Sequence, residues 1–419
     1  MDQYLTLLRV NSNYRNLWLG NVVSLLGDWF NLIATATLVA NLTSSGVALS
    51  YLFLSRLLPQ FFFSPVAGVL ADRFSRRTIL IVSDLSRALI VLGFLVVRRP
   101  DQVWFLYLLL VIQFAMSAMF NPARSAVLAN VVSRKDLVTA NALDSVTWST
   151  MLAFGAMLGG IVAALFGRDV AFVMDAGTYL LSAYFVSRIR IEGKQDFAIQ
   201  QGGSWLNFMD GLRYLWGAPF ILIISMMKGV GSLTWGALNV VEVSYAETIF
   251  PILADGTLSL GLLYAVSGIG TGVGPLVLRR YFGDTPIRIR QAIILAFGLM
   301  VTGFFIISWA PTIETWLFGT LLRTIGTGTI WVFTAALLQL LVPDRFRGRV
   351  FAFEFAFLTL MQSISTFWAG WAQDTVGLDI RQIVMVSGVV SVFTGLLWVL
   401  FYFRTRYRIE PAPETSAAD

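Results

Sequence analysis

Long apolar runs recur along the chain, and short polar stretches separate them. A helix that crosses about 30 Å of hydrocarbon needs about 20 mostly apolar residues. Twelve runs reach this length, and they lack the alternation of lipid-facing barrel strands. The pattern therefore predicts an all-α membrane protein with twelve membrane-spanning helices. The predicted spans are 15–41, 47–70, 78–97, 103–122, 138–166, 169–187, 219–242, 258–278, 291–310, 315–342, 350–373 and 381–403.

The composition agrees with a membrane location. Hydrophobic residues make up 57% of the 419 residues and charged residues 13%, whereas soluble domains are about a quarter charged. Cysteine and histidine are both absent, which excludes disulfides, thiolate chemistry, and zinc or catalytic sites built on these residues. Without a Walker A motif or a nucleophile beside a base, the sequence predicts no enzyme, no cofactor and no metal site.

Lysine and arginine are unequally divided between the two sets of connections. The set that includes both chain ends carries 22 basic residues, and the opposite set carries four, Arg98, Arg99, Arg168 and Arg381. Cytoplasmic loops are enriched in these residues, so the division predicts that both termini are cytoplasmic. This distribution also accounts for the net charge of +6, so the sequence predicts no binding of the protein to nucleic acid. The polar residues 1–16 predict that no secretory signal precedes the first span.

A polar connection over 189–218 divides the chain into two sets of six helices. Its second part has apolar residues at helical spacing, which predicts an amphipathic segment on the membrane surface. A basic cluster follows the second helix of each set, which indicates an internal repeat. The predicted division is an amino-terminal bundle over 1–188, the linker over 189–218, a carboxy-terminal bundle over 219–408 and a disordered tail over 409–419.

The segment between the second and third helices carries the most specific signal. It reads Gly-Val-Leu-Ala-Asp-Arg-Phe-Ser-Arg-Arg over 68–77. This run resembles the signature of the major facilitator superfamily, Gly-x-Leu-Ala-Asp-Arg-x-x-Arg-Arg/Lys. The resemblance implies two pseudo-symmetric six-helix bundles and a latch that closes the cytoplasmic side in the outward-facing state. The latch residues would be Gly68, Asp72, Arg73, Arg76 and Arg77.

Further segments resemble the enterobactin-exporter and macrolide-efflux branch of that superfamily. They lie at 17–20, 26–29, 56–59, 121–126, 139–143 and 343–349. Members of that branch typically export siderophores, macrolides or other amphiphiles from the bacterial cytoplasm, driven by protons. The resemblance implies a monomeric antiporter in the bacterial inner membrane that exports a bulky amphiphilic drug, macrolide or siderophore by alternating access. Its partners would be this small molecule, protons and membrane lipids.

Two helices depart from the pattern of drug antiporters. Helix 5 keeps Gly155, Gly159 and Gly160, which allow close helix packing, but it lacks the proline of the antiporter signature. Helix 4 lacks the arginine of the family, and Gln113 is the strongly polar side chain in its middle.

Charged residues within predicted spans are expensive, about 2.5–3.5 kcal/mol each on insertion scales, and usually have a partner or face a cavity. Asp28 in helix 1 and Arg56 in helix 2 form either a structural pair or the proton-coupling site. Asp144 and Asp175 are further candidates for coupling. Asp144, like Glu354, lies near a cytoplasmic helix end, where it would equally brace the gate against loop arginines.

Other side chains within the spans are candidates for pairing or for a substrate cavity. Asp84 and Arg87 are three residues apart on helix 3 and are predicted to form a structural ion pair. Lys228 and Arg323 would either receive an anionic substrate or pair with Asp175 or Asp28. The remaining cavity candidates are Trp29, Gln113, Trp148 and Trp235, and the tryptophans combine an apolar body with a polar tip.

Two alternative functions stay open at this point. One is flipping of lipids or lysolipids, in which the substrate enters sideways from a leaflet. The other is a non-transporting membrane receptor or assembly factor built on the same fold. The gating motif and the many charges within the spans favour transport over the second alternative.

Overall fold

The computed structural model describes residues 2–133, 136–190, 212–252 and 256–406, except for the side chains of residues 2, 3, 64–73, 138, 344 and 345. Within these ranges the regular structure is helical, without strands. Twelve helices are long and apolar enough to cross a membrane. The predicted all-α fold with twelve spans is therefore confirmed, and the chain is an integral multi-pass membrane protein.

A short helix (Asp2–Val10) precedes the spans, which we label in chain order. They are α1 (Ser12–Thr43), α2 (Gly46–Arg73), α3 (Arg76–Gly93), α4 (Val103–Val131), α5 (Leu137–Thr150, the π-helical turn Met151–Gly155, and Ala156–Phe166), α6 (Arg168–Ser187), α7 (Pro219–Trp235 and Leu238–Thr248), α8 (Thr257–Phe282), α9 (Pro286–Trp309), α10 (Ile313–Leu341), α11 (Asp344–Trp371 and the π-helical turn Ala372–Val376) and α12 (Ile380–Thr405).

Local chemistry determines several helix ends. The Asn11 side chain accepts a hydrogen bond from the backbone N–H of Tyr14 at 2.9 Å and caps α1. Ser44 ends α1 in the left-handed conformation, with a φ of 49°. Gly167, with a φ of +84°, makes the turn between α5 and α6, a conformation that favours glycine. Tight turns therefore reverse the chain between these spans.

The chain divides into two compact units that do not coincide with its first and last six helices. One contains Met1–Gly202, Gly236–Ile269 and Ser363–Ile383, and the other contains Gly203–Trp235, Gly270–Gln362 and Val384–Asp419. The first unit thus joins α1–α6 to parts of α7, α8 and α11 and to the first residues of α12. The predicted division at 189–218 stays a prediction, because residues 191–211 lie outside the described residues. The predicted tail over 409–419 lies outside them as well.

A buried apolar cluster holds α1, α3, α4 and α6 together at the end of the first unit that carries the amino terminus. It includes Leu17, Leu80, Phe120, Val127 and Val186. We call the opposite ends of the helices, near the turns at 44–45 and 167, the distal ends. The polar residues described next lie between this cluster and the distal ends.

Candidate functional site

A polar network crosses the interior of the first six helices. Its centre is Tyr179 of α6, which is fully buried and donates its hydroxyl proton to the Asp28 carboxylate of α1. Gln113 of α4 donates to the same hydroxyl oxygen at 3.1 Å. The guanidinium carbon of Arg87 on α3 lies 4.4 Å from the centre of the Tyr179 ring. One tyrosine therefore joins four helices.

The predicted ion pair on α3 is present at the edge of this network. Arg87 and Asp84 are in direct contact, and their side chains are 3% and 0% exposed. The Ser182 hydroxyl of α6 donates to the second oxygen of Asp84 at 2.7 Å. A buried pair needs such additional hydrogen bonds to offset the loss of hydration, so these contacts are consistent with a structural role.

Asn31 forms a second branch of the network, which the sequence analysis missed. Arg56 of α2 donates to the Asn31 side-chain oxygen at 2.9 Å, and the Asn31 amide donates to Asp175 of α6 at 2.9 Å. Asn31 lies three residues after Asp28 and therefore on the same side of α1. This spacing is the sequence signal from which Asn31 could have been predicted. The direct pair of Asp28 and Arg56 is not formed, because both groups are held by neutral partners.

The charges of this network do not balance. It contains three carboxylates, Asp28, Asp84 and Asp175, and two guanidiniums, Arg56 and Arg87. If all are ionised, the network has one negative charge in excess, which is unfavourable in a low-dielectric interior. Asp84 and Asp175 are 0% exposed, whereas Asp28 is half-buried. Asp28 is therefore the one of these three carboxylates that has exposed surface.

The other coupling candidate lies away from this network. Asp144 on α5 forms an ion pair with Arg124 of α4 at 2.7 Å, and Arg124 belongs to the set of connections that contains the termini. This pairing agrees with the predicted bracing role of Asp144.

The predicted latch is described only in part. Arg77 donates to the Ser187 carbonyl and so ties the start of α3 to the end of α6, and Arg76 lies half-buried beside it. The side chains of Gly68, Asp72 and Arg73 lie outside the described residues.

In the second unit, Lys228 of α7 forms a buried ion pair with Glu354 of α11. The ammonium and carboxylate are 3.0 Å apart, and the side chains are 6% and 5% exposed. The Lys228 ammonium also lies 4.7 Å from the centre of the Trp331 ring. The predicted pairing of Lys228 with Asp175 or Asp28 was wrong, because α11 presents a carboxylate directly to α7. Arg323 is buried with its guanidinium 5.9 Å from the Phe304 ring.

The Lys228–Glu354 pair yields a prediction for stability. Lys228→Met leaves a buried carboxylate without a cation, which is expected to lower the free energy of unfolding by about 3–5 kcal/mol. Denaturation in mixed detergent micelles measures this change. Lys228→Met combined with Glu354→Gln is expected to recover most of it, because no buried charge remains.

The matched control for this prediction is the exposed pair of Arg99 and Asp101, whose side chains are 68% and 66% exposed. Arg99→Met is expected to change the free energy of unfolding by no more than about 1 kcal/mol. Equal decreases in the free energy of unfolding of Lys228→Met and Arg99→Met would contradict a stabilising role of the buried pair.

The aromatic candidates occupy different environments. Trp29 packs on Tyr264 of α8, with ring centres 5.5 Å apart. Trp148 is 47% exposed, and Trp235 packs closely over Gly231 on its own helix. Gln113 is 1% exposed and does not line a cavity in this structure, because its amide is used within the network.

The predicted packing glycines of α5 lie at close helix contacts. A Cβ atom on Gly155 would lie 3.0 Å from the Trp29 ring, and one on Gly159 would lie 3.0 Å from Phe30. Gly160 meets Gly261 of α8, where a Cβ atom would lie 2.9 Å from the Gly261 Cα. Only glycine permits this approach of α5 and α8.

A second close contact joins the distal ends of α2 and α11. The Asp374 carboxylate of α11 accepts hydrogen bonds from the Ser45 hydroxyl at 2.5 Å and from the backbone N–H groups of Gly46 and Val47 at 2.8 and 2.9 Å. It thus caps the amino-terminal end of α2, where the helix dipole favours a negative charge.

The same contact continues along both helices. Ser50 of α2 donates to the Thr366 carbonyl of α11 at 2.8 Å. Gly370 lies against the backbone of Gly46, and a Cβ atom there would be 2.2 Å from the Gly46 oxygen. We call this set of contacts the distal latch; it consists of Ser45, Gly46, Val47, Ser50, Thr366, Gly370 and Asp374.

The family model MFS_3, described as a transmembrane secretion effector, matches residues 6–411. The chain belongs to this family. The MFS-type transporter YfiS of Bacillus subtilis is 27% identical over 403 residues, covering 94% of both chains. The multidrug efflux pump Tap of Mycolicibacterium fortuitum is 23% identical over 384 residues, covering 88% of this chain and 92% of that protein.

Solved transporter structures share the fold. A bacterial homolog of the human lysosomal transporter Spinster, in an inward-facing and unoccupied conformation, matches with a TM-score of 0.72 and 14% identity, covering 96% of this chain and 99% of that one. The nucleoside transporter NupG also matches with a TM-score of 0.72, at 12% identity, covering 94% and 99%. At this identity the likeness concerns the fold alone.

Proposed function

We propose that this transporter exports a bulky amphiphilic small molecule in exchange for protons. The observation that carries the proposal is the network of three carboxylates and two guanidiniums inside the first six helices, in which Asp28 alone of the carboxylates has exposed surface. One proton neutralises the excess charge. Acidic residues within membrane-spanning segments that pair inside the bundle are typical of proton relays.

We attribute proton coupling to the charge balance of this network. A proton on Asp28 balances the network, and its loss restores the excess negative charge. Asn31 connects Arg56 to Asp175, so a change at Arg56 reaches the fully buried carboxylate through one amide. Asp28 is thus the entry point for the proton, and Arg56 with Asp175 forms the part of the site that responds.

The distal latch and the contact of α5 with α8 supply the moving parts. Alternating access requires the helices to separate at one end while they close at the other. Gly160 with Gly261, and Gly370 with Gly46, bring helix backbones into direct contact, and in the proposed cycle these surfaces separate as rigid bodies. In the proposed cycle these distal contacts are closed while substrate enters and open when it leaves.

The proposed substrate class follows from an aromatic contact between α1 and α8 and from the relatives of the chain. Trp29, the residue after Asp28 on α1, packs on Tyr264 of α8, and such an aromatic contact suits an amphiphile with an apolar body. The multidrug efflux pump Tap and the family description as a secretion effector favour export. We extend this to drugs, macrolides or siderophores, as in the enterobactin-exporter and macrolide-efflux branch.

The unequal distribution of Lys and Arg supports the orientation. We propose a monomer in the bacterial inner membrane with both termini in the cytoplasm, so that the distal ends face outward. The predicted cytoplasmic latch of Gly68, Asp72, Arg73, Arg76 and Arg77 would then close the opposite end when the distal contacts open.

Purified protein in liposomes with an imposed pH gradient tests the proposal. Proton movement is followed while macrolides, cationic dyes and a catecholate siderophore are added in turn. Proton flux triggered by at least one compound, and that compound's accumulation against its gradient, is the expected result. Transbilayer movement of labelled phospholipid without proton flux would replace export with lipid flipping. Binding of a compound without movement of either would replace it with a receptor role.

A further inference from the structure

A polar cleft lies at the distal end of the first unit, apart from the network around Asp28. It has a volume of about 370 Å³. Its walls come from the end of α1, the connection between α3 and α4, the turn between α5 and α6, and the start of α8. The lining residues are Thr37, Asn41, Arg98, Ala163, Phe166, Gly167, Arg168, Asp169 and Thr257.

The cleft has one positive charge in excess. Arg98 and Asp169 form a two-pronged ion pair, with nitrogen–oxygen distances of 2.9 and 2.8 Å, so these two charges cancel. Arg168 also lines the cleft, and among the described residues no carboxylate forms an ion pair with it. Arg98 and Arg168 are two of the four basic residues in the distal connections, and both lie in this one cleft.

Uncharged donors in the cleft point to an anion as well. Helix α6 begins at Arg168 after Gly167, which has no side chain to cap it, and its first backbone N–H groups have no partner within the helix. The Asn41 amide and the Thr257 hydroxyl add hydrogen-bonding groups at the wall, whereas the Thr37 hydroxyl donates its proton to the Ile33 carbonyl at 2.9 Å. Arginine, free N–H groups and hydroxyls together are the donors that bind phosphate in proteins.

The surface beside the cleft is apolar. Leu165 and Phe166 at the end of α5 are 64% and 65% exposed, and Val170 and Val173 on α6 are 40% and 53% exposed. Phe166 also lines the cleft itself. A ligand whose anionic group occupies the cleft would therefore have an apolar surface along which to lay hydrocarbon chains.

We propose that this cleft binds the phosphate of an anionic phospholipid at the distal membrane interface. Arg168 contributes the uncompensated charge, Arg98 is held in position by Asp169, and the exposed faces of α5 and α6 accept the acyl chains. The site does not depend on the transported substrate. A free phosphate ion shares the head-group chemistry but would make no use of the apolar faces.

Native mass spectrometry of the purified full chain tests the site. Detergent-solubilised protein is supplied with dioleoylphosphatidylglycerol, with dioleoylphosphatidylcholine, or with inorganic phosphate in competition with the first lipid. Arg168→Gln is expected to lower phosphatidylglycerol retention about fivefold, the effect of one basic residue near an anionic lipid. Arg168→Lys is expected to keep most of it, because the charge remains. Phosphatidylcholine is expected to bind less than phosphatidylglycerol.

The matched control is Arg99→Gln. Arg99 is adjacent to Arg98 in the same connection and is paired with Asp101 at 3.1 Å, but it does not line the cleft. Its loss is expected to leave retention unchanged. Equal retention in Arg168→Gln and Arg99→Gln would overturn the site. Displacement of the lipid by millimolar inorganic phosphate would overturn the lipid assignment and identify a free anion as the ligand.

Discussion

Replacing Gly370 by valine is expected to reduce transport at least tenfold. A Cβ atom at this position would lie 2.2 Å from both the Gly46 carbonyl oxygen and the Ser50 hydroxyl. A side chain cannot be accommodated without moving the backbone of α2, so the distal latch cannot close. A transporter that cannot close one end cannot complete alternating access. The Gly370→Val protein should still insert, because valine is well tolerated in membrane helices.

Cysteine labelling measures this effect directly, since the natural chain contains no cysteine. Thr366 of the latch is 0% exposed, so Thr366→Cys reports whether the contact is closed. A membrane-impermeant maleimide should modify it at least tenfold faster in the Gly370→Val background. Gly177→Val is the control, because a Cβ atom on Gly177 meets nothing within 4 Å. Equal labelling rates in the two backgrounds would contradict the closure assigned to Gly370.

Asp28→Asn is expected to abolish proton movement coupled to substrate. Asparagine keeps the shape and still accepts the hydrogen bond from Tyr179, so the network should persist. It removes one carboxylate, and the two that remain balance Arg56 and Arg87 without a proton. In liposomes with a pH gradient, substrate-triggered proton flux should fall to the level of empty vesicles.

Asp101→Asn is the matched control for this experiment, because Asp101 is 66% exposed and lies outside the network. It is expected to retain full coupling. Unchanged flux in a folded Asp28→Asn protein would move the coupling role to another acid. Asp175 would be tested first, since it is fully buried and linked to Arg56 through Asn31.

Contacts within one helix followed from sequence spacing. Asp84 and Arg87 are three residues apart on α3, and this distance alone places them on one face. The twelve spans followed in the same way from the length of apolar runs. Gly155, Gly159 and Gly160 indicated close packing of α5, because small residues allow helix backbones to approach in membranes.

Partners on distant helices could not be predicted in this way. Lys228 and Glu354 lie 126 positions apart, and their pairing depends on how α7 and α11 pack. Asp374 contacts Ser45 across 329 positions. It also stands at the end of a span, where an acidic residue looks like an ordinary loop charge. Such contacts depend on three-dimensional packing, for which a single sequence carries no periodic signal.

Alternating access in this transporter requires the distal latch to open, and a cleavable cross-link tests this opening most directly. The Ser45 and Asp374 side chains are in contact, so cysteines at both positions can be joined by a short bis-methanethiosulfonate reagent. We predict that cross-linking stops transport of a compound exported by the uncross-linked double variant, and that reduction of the linker restores it. Undiminished transport by fully cross-linked protein would show that the distal ends need not separate, and would contradict the account.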